Sequence, residues 1–470
     1  MHRERIGERA GNFVHHHRHV HRHELVRGHH RIRTTHPEQI MKRLLFTAIL
    51  LAACTVVAVH GQTHRQLLGI PPTQQPGLSG ADAFFDDTVL HEIRLAINAR
   101  DWQALKDNYL DNTYYPCDFR WRDTVLRNIG IRSRGTGSRS GVKPGLRVDF
   151  DRYVTDQKFV GLKSFVLRNN TQDASNLHER LSMLLFRRLG RQASREAHTK
   201  LYINDQYAGL FSIVESVDKS FLKRTFNEDE GWLYKYDYPA DANPYYFEDR
   251  GSNPSSYVPL PFKPETHETD PRPEFIVQLV QAINQSTSTA AFRTAIADYL
   301  DLKNFLRYVA VEQFLADQDG FLGDYGINNF YFYRFVDRKL FTFIAWDKSE
   351  AFKAGPTASI LRNVNNTPSA RQNRLMTRAI ADRDLYDFFL DSVLEVVRSA
   401  YDVEGSADGR GWLEREIERE YQQVRDAALA DPEKTFSNDE FERSVNDLRA
   451  FARQRGDFVT SEVNALRARP

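Results

Sequence analysis

The stretch VEQFLADQDGFLGDYGINNFYFYRFVDRKLFTFIAWDKSEAF, residues 311–352, decides the fold of this chain. It begins at the end of an apolar helix pattern and passes through an acidic, glycine-containing loop, residues 317–326. Two runs rich in aromatic and branched side chains follow, at residues 330–335 and 340–345. Two such runs separated by a short polar segment predict a β-hairpin.

The register of this hairpin brings polar side chains together at its open end. If the two residues that flank the turn face each other, Asn329 lies opposite Trp346. Asn329 and Asp347 are then neighbours at the open end of the hairpin. Asp319 lies on the loop that leads into this end.

An amide oxygen and a carboxylate at one strand end, with a second carboxylate nearby, suit a hard divalent cation. Magnesium takes oxygen ligands and keeps several waters and substrate phosphates in its shell. Asp319 is then free to accept a proton from an attacking hydroxyl. The alternative is that acids and amides simply populate the polar loops around a buried hairpin.

Composition limits the class of protein. The chain has 470 residues, enough for two to three domains, and its 41% hydrophobic and 12% aromatic content predicts a globular protein. A formal net charge of +1 argues against a nucleic-acid-binding protein, which usually carries a basic excess. The sequence has no zinc-ligand spacing, no GxSxG elbow and no Walker-type GKS or GKT motif.

The N-terminal residues predict export. Residues 1–40 are rich in His and Arg without apolar periodicity, which predicts disorder or an over-long gene start, with a metal-binding tract as the alternative. Residues 41–61 have the charged start and apolar core of a secretory signal. Cleavage after Gly61, lipid attachment at Cys54 and an uncleaved anchor remain alternatives. Only Cys117 lies beyond this segment, so no disulfide framework is expected.

The rest of the chain divides by composition. Residues 62–85 are a Pro- and Gln-containing linker, and residues 86–237 alternate strand patterns with helices. Residues 238–275 have the Pro-, Ser- and Tyr-rich composition of an irregular insertion or interlobe linker. Residues 276–470 contain helical patterns around the hairpin, the last of them at residues 439–455. Together these regions predict an α+β fold.

A glycine-rich turn lies between two predicted strands. The sequence RGTGSRSG, residues 134–141, contains Gly135 and Gly137. Strand, glycine-rich turn and strand is an arrangement in which backbone N–H groups cover phosphates. Lys143 and Arg147, at the exit of the turn, are the cations available to a phosphate. The alternative is an ordinary turn followed by surface charges.

A helix is predicted at residues 176–189, because residues 173–175 supply capping side chains and a glycine follows its end. Its leucines form a stripe at helical spacing, and Glu179 lies beside that stripe. Glu179 either is solvated or pairs with a cation on the neighbouring sheet. A hairpin turning at residues 204–205 follows and ends at Glu215.

With these blocks in place, the chain resembles the spore-coat-protein-H (CotH) kinase family, secreted or coat-associated relatives of protein kinases. The resemblance covers residues 88–352 in several separated blocks. They are IRSRGTGSRSGVKPGLRVDFDRY, LRNNTQDASNLHERLSMLLFRRLG, LYINDQYAGLFSIVESVDKSFLKRTF, GWLYKY, and ADQDGFLGDYGINNFYFY with FIAWDKSEAF.

The resemblance implies a two-lobed protein-kinase-like fold. An N-terminal antiparallel sheet with a helix is expected to face a mainly helical C-terminal lobe that carries the hairpin, with ATP and Mg²⁺ (or Mn²⁺) between them. Asp319 becomes the catalytic residue, and Asn329 and Asp347 the metal ligands. Asp317 and Asp324 compete for the catalytic role, and Asp319 is chosen for its distance from Asn329.

The resemblance also assigns nucleotide contacts. Glu179 becomes the helix glutamate that fixes the phosphate-binding cation, and the segment around Glu215 and Val217 the adenine-side connection. The family often has Lys where Arg147 stands, so either Arg147 or Lys143 takes that role. A further departure is Asn328-Asn329, where members commonly have His-Asn.

The activity expected from the resemblance is phosphoryl transfer from ATP to hydroxyls of exported or surface proteins. The protein itself is then periplasmic, secreted or on the cell surface, without an integral membrane span in its mature form. Two alternatives remain open. One is an inactive CotH-like structural or adhesive surface protein, and the other is AMP transfer in the same fold.

Overall fold

The computed structural model describes residues 80–237, 244–365, 367 and 371–468. The His-rich segment, the signal-like residues and Cys54 lie outside these ranges, so the predictions about them stay predictions. Within the described ranges helices and strands alternate along the chain, and the predicted α+β class is confirmed.

In the part of the chain that the structure describes, seven strands close into a barrel with the order β1-β2-β3-β4-β5-β7-β6. Neighbouring strands run antiparallel, except that β1 and β6 run parallel. Closure leaves no edge strand of this sheet unpaired. The elements of this region are α1 (Ala81–Phe84), β1 (His91–Ile97), α2 (Ala99–Asp107), β2 (Tyr115–Trp121), β3 (Thr124–Ser133), β4 (Leu146–Asp149), β5 (Ser164–Arg168), α3 (His178–Arg188), β6 (Glu196–Ile203) and β7 (Gln206–Glu215).

The remaining described residues form helices around a small sheet with the strand order β11-β10-β8-β9. None of the helices in the described ranges has an apolar stretch long enough to span a membrane. The elements are α4 (Lys219–Phe226), β8 (Trp232–Tyr236), β9 (Phe262–Pro264), α5 (Glu274–Asn284), α6 (Thr289–Ile296), α7 (Leu302–Phe314), β10 (Phe330–Arg334), β11 (Phe341–Ala345), α8 (Arg374–Ile380), α9 (Arg383–Ala400), α10 (Trp412–Leu429) and α11 (Asn438–Arg467).

The predicted hairpin forms with the predicted register. Phe330 pairs with Ala345, so Asn329 and Asp347 leave the two strands at the same end. Both residues have a left-handed backbone, with φ of 58° and 50°. Asn and Asp tolerate this conformation better than most residues. At both positions it turns the backbone sharply away from the paired strands of the hairpin.

A junction core holds the hairpin against the barrel. Val166 of β5 and Val214 of β7 belong to the same buried cluster as Tyr331, Ile344 and Trp346 of the hairpin. Larger separate clusters fill the barrel and the helical region. Burial of aromatic side chains at the junction fixes the open end of the hairpin beside the end of β5.

Candidate functional site

Two neighbouring asparagines hold the carboxylate of Asp319. The side-chain N–H₂ of Asn329 donates to Asp319 Oδ2 at 2.8 Å and to its carbonyl oxygen at 2.9 Å. Asn328 Nδ2 donates to Asp319 Oδ1 at 3.1 Å. Asn328, which stands where the family commonly has His, therefore orients the carboxylate of Asp319.

The setting of Asp319 raises the pKa of its carboxyl to about 7. Burial is the largest cause, and the hydrogen bond from Asn328 opposes it; the charges of Asp317 and Asp347 add to the increase, while Lys348 opposes it. A carboxyl with a pKa near neutrality both takes up and releases a proton at physiological pH, as a general base requires.

Asp347 is bound on one oxygen and open on the other. Its Oδ1 accepts from Arg168 Nη1 at 2.7 Å and from Ser349 Oγ at 3.2 Å. Its side chain is 25% exposed, and within the described ranges Oδ2 has no hydrogen-bond donor. Burial raises the pKa of Asp347, but Arg168 and Arg134 outweigh burial and hold it below the ordinary value. Asp347 is therefore an anion with one free oxygen.

The hairpin end fits a divalent cation that takes only some of its ligands from the protein. Asn329 uses its Nδ2 toward Asp319, and no donor in the described residues reaches its Oδ1. Asp347 supplies a second free oxygen at the same strand end. The described residues contain no group of three or more His, Cys, Asp or Glu side chains that would hold a metal by themselves. Phosphate and water oxygens complete the shell in sites of this kind.

Glu179 pairs with a cation on the neighbouring sheet, as one of the two alternatives predicted. That cation is Arg168 at the end of β5, whose Nε contacts Glu179 Oε2. Both side chains are almost fully buried, at 4% and 6% exposed. Arg168 Nη2 is buried without a hydrogen-bond partner in the described part of the chain. Arg168 thus bridges Glu179 and Asp347 and retains one free N–H₂ group.

The prediction that Lys143 or Arg147 stands beside Glu179 needs correction. The ammonium of Lys143 is buried and binds Asp431 Oδ2 at 2.6 Å. Arg147 donates to Ser164 Oγ at 3.2 Å, on the strand next to its own. Residue type and nearness to the glycine-rich turn suggested both cations, but the closure of the barrel directs Arg168 to the site instead.

The predicted adenine-side residues have structural contacts. Glu215 is buried and accepts from Arg195 at 2.6 Å and from Arg224 at 2.7 Å. Val217 belongs to the junction core with Val166 and Tyr331. The Glu215 side chain is therefore committed to ion pairs, and Val217 contributes apolar surface between the barrel and the hairpin.

The glycine-rich turn forms one wall of a small polar pocket. Ser138 lines this pocket together with Arg168, Glu179 and Gln172. Gly135 has φ of 117°, and a Cβ there would lie 2.5 Å from Ser138 Oγ. The positive φ favours glycine here, because any residue with a Cβ is strained in this backbone conformation. At Gly137 a Cβ would have only Gln172 Nε2 within van der Waals range, at 3.7 Å.

Sequence reasoning missed Arg134 and Arg168. Arg134 begins the glycine-rich turn, and its guanidinium carbon lies 5.6 Å from the centre of the Trp346 ring. Burial and the nearby charge of Arg168 lower the pKa of Arg134 to about 10. The available signal was that Arg134 follows one predicted strand and Arg168 ends another. The strand pattern alone did not show that these two strand ends lie close together.

The two competing acids on the loop are engaged elsewhere. Asp317 is buried, and its Oδ2 lies 3.1 Å from the ammonium of Lys348. Asp324 lies 3.2 Å from Arg362 Nη1 and accepts from Asn363 at 2.8 Å. The carboxylate in contact with Asn329 is that of Asp319.

Two known proteins are similar to this chain in sequence. Inner spore coat protein H of Bacillus subtilis (strain 168) is 21% identical over 380 residues, which make up 79% of this chain and 97% of that protein. Invasin CotH3 of Rhizopus delemar is 29% identical over 169 residues, 33% of this chain and 26% of that protein.

Solved structures match only loosely. The Helicobacter pylori proinflammatory kinase CtkA matches with a TM-score of 0.28 and 10% identity, covering 69% of this chain and 95% of that one. HipA from the Shewanella oneidensis MR-1 toxin–antitoxin complex matches with a TM-score of 0.33 and 11% identity. The match covers 79% of this chain and 74% of that one. Both TM-scores are well below 0.5, so membership of a family rests on sequence. The family model described as CotH kinase protein matches residues 131–459, and this chain belongs to that family.

Proposed function

We propose that the protein transfers the terminal phosphoryl group of ATP, with Mg²⁺ or Mn²⁺, to hydroxyls of exported proteins. The observation that carries the proposal is the contact of Asp319 with Asn329, whose free oxygen lies at the same hairpin end as the free oxygen of Asp347. A proton acceptor and two cation ligands are among the protein groups that phosphoryl transfer uses.

The roles of the residues follow from their contacts. Asn329 and Asp347 hold the cation, which when bound neutralises negative charge on the phosphates. Asp319 orients the acceptor hydroxyl and takes its proton. The hydrogen bonds from Asn328 and Asn329 keep the Asp319 carboxylate directed at the site.

Arg168 is the phosphate-binding cation in this proposal. It is fixed by Glu179 on one side and by Asp347 on the other, and its Nη2 is unpaired among the described residues. Arg134 supplies a second guanidinium on the glycine-rich turn. Arginine binds phosphate through a planar fork, whereas lysine acts as a point charge, so the nucleotide is expected to sit differently from one held by lysine.

The two relatives and the signal-like residues 41–61 support a location outside the cytoplasm. One relative is named a spore coat protein and the other an invasin. We extend this to exported or surface proteins as the acceptors. The proposal includes lipid attachment through Cys54 as an alternative to simple cleavage after Gly61. Mass spectrometry of the exported protein distinguishes the two.

Nucleotide-dependent stabilisation tests the binding step. ATP with Mg²⁺ should raise the melting temperature of the wild-type protein, because a ligand bound only by the native state stabilises it. The shift should depend on the cation and disappear in Asp347→Ala. A wild-type melting temperature that ATP leaves unchanged with either Mg²⁺ or Mn²⁺ would favour an inactive structural or adhesive protein.

Transfer of AMP within the same fold is distinguished by the product. Intact-mass measurement of the modified acceptor separates addition of a phosphoryl group from addition of an adenylyl group. The proposal expects the phosphoryl product.

A further inference from the structure

A groove of ≈ 670 Å³ opens beside the candidate site. Its walls come from the start of α3, from the segment after Asp347 and from α11. Phe352, Leu448 and Phe451 line it and are almost fully buried, at 6%, 1% and 2% exposed. The volume lies within the range of specific ligand sites in proteins.

The groove meets the site at two glutamines. Gln172 lines both the groove and the small polar pocket that contains Arg168 and Glu179. Gln318 lines the groove and directly precedes Asp319. A chain segment in the groove therefore passes next to the residue that takes the acceptor proton.

The polar groups of the groove match a peptide backbone. Within the described ranges, the hydrogen bonds of Gln172 and Gln318 run through their backbone atoms, and neither side-chain amide has a hydrogen-bond partner. A side-chain amide both donates and accepts, as a peptide unit does. Two such amides beside an apolar floor suit a backbone along the walls with a hydrophobic side chain beneath it.

The charge of the groove disfavours a strongly charged ligand. The ammonium of Lys353 is already bound by Glu350 at 2.6 Å and by the carbonyl of Gln172 at 2.8 Å. Asp447 is an exposed acid at the rim. Because the groove offers no unpaired cluster of one sign, its chemistry selects a neutral segment.

The groove is held open by Arg455 of α11. Its Nε donates to the carbonyl of Phe314 at 2.9 Å, and its Nη1 donates to the carbonyl of Pro356 at 2.9 Å. Arg455 is fully buried. It therefore fixes α11 to the end of α7 and to the segment that forms the opposite wall.

We infer that this groove binds the acceptor polypeptide, and that it selects a neutral segment with an aromatic or aliphatic residue close to the acceptor serine or threonine. The inference rests on the proposed function for the identity of the acceptor. The binding of a peptide segment is separable from phosphate transfer and is measured separately.

The experiment uses two fluorescein-labelled synthetic peptide pools with a central serine. One pool has phenylalanine or leucine flanking the serine, and the other has glycine at those positions. Fluorescence anisotropy without nucleotide measures binding to the wild type, to Ser444→Trp and Asp447→Trp, and to Gln454→Trp. Ser444 and Asp447 line the groove on α11, whereas Gln454 is exposed on the same helix and does not line it. Circular dichroism melts show whether each variant is folded.

Tighter binding of the phenylalanine and leucine pool is expected, with a loss of about tenfold, or about 1.4 kcal/mol, in either groove variant and no change in Gln454→Trp. Equal binding of both pools, wild-type affinity in both groove variants, or no binding to the wild type would overturn the inference. Labelled ATP is then added to the same mixtures. Binding without phosphate transfer contradicts the proposed function and leaves the peptide groove in place.

Discussion

The ammonium of Lys348 lies 2.5 Å from Glu312 Oε1, and both side chains are buried. The same ammonium lies 3.1 Å from Asp317 and donates to the carbonyl of Asn329 at 3.2 Å. Lys348, which directly follows Asp347, thus connects the end of α7, the acidic loop and the start of β10. This buried ion network sets the distance between the parts of the site.

Removing this cation should destabilise the protein strongly. In Lys348→Met, Glu312 and Asp317 lose their buried counter-charge, and we expect a loss of about 3–5 kcal/mol in the free energy of unfolding. Urea denaturation measures it. Lys219→Met is the matched control, because its pair with Glu230 is exposed on both sides, at 51% and 66%, and should contribute less than about 1 kcal/mol. Equal effects of the two substitutions would contradict this account of the network.

Loss of Arg168 should weaken nucleotide binding. In Arg168→Gln the guanidinium that carries the free Nη2 is absent, and we expect the dissociation constant for ATP to rise by about tenfold or more. Isothermal titration calorimetry with Mg²⁺ measures it at a temperature where the variant is folded. Arg147→Gln, on the adjacent strand, should bind ATP as the wild type does. If Arg147→Gln instead raised the dissociation constant for ATP more than Arg168→Gln did, Arg147 would be the phosphate-binding cation.

The stability of the barrel should depend on Glu196. This carboxyl is buried without hydrogen-bond partners in the described residues, and burial raises its pKa to about 7 although Arg168 and Arg187 oppose the shift. The native state therefore holds a proton that the unfolded chain releases at its ordinary pKa of 4.5. The stabilisation from this group grows as the pH falls from about 7 toward 4.5 and is lost above pH 7.

Glu196→Gln should remove this dependence. Between pH 8 and pH 5.5 the wild type should gain about 2 kcal/mol relative to the variant, so that the glutamine form is relatively more stable at pH 8. Denaturation at both pH values measures the difference, with the exposed Glu92→Gln of β1 as the control. If the wild type and Glu196→Gln differed in free energy of unfolding by the same amount at pH 8 and pH 5.5, the buried carboxyl would not titrate between these pH values.

The pH dependence of phosphate transfer should report Asp319. Because burial raises the pKa of its carboxyl to about 7, the base is protonated below that pH and ionised above it. We expect kcat/KM to rise by about tenfold per pH unit up to about pH 7 and then to level off. Steady-state rates with ATP across this range measure it. A flat profile through the acidic limb would exclude Asp319 as the essential base.

The hairpin was predictable because its information is local. The position of the turn fixes which residues pair, and Phe330 opposite Ala345 follows from it. The partner of Glu179 was not predictable in this way. Arg168 and Glu179 lie on different elements, and only the closure of the barrel and the packing of α3 bring them together.

The helix boundaries show the same limit. A helix predicted to end at residue 455 continues to Arg467, through Gly456. A Cβ at Gly456 would lie 2.5 Å from the ring of Tyr401, which directly follows α9, so the glycine makes room for this ring and does not end the helix. Strand β2 was not predicted, although Cys117, Phe119 and Trp121 alternate inward, because Pro116 interrupts the pattern.

Transfer of labelled phosphate from ATP to a serine-rich acceptor protein tests the central claim most directly. The wild type should incorporate label only with Mg²⁺ or Mn²⁺, and Asp319→Ala and Asp347→Ala should each lower the rate by about a hundredfold or more. Asp337→Ala, in the exposed turn of the same hairpin, should keep the wild-type rate. Label incorporated equally by the wild type and both site variants, or by none of the proteins, would contradict the assignment of Asp319, Asn329 and Asp347 as a phosphoryl-transfer site.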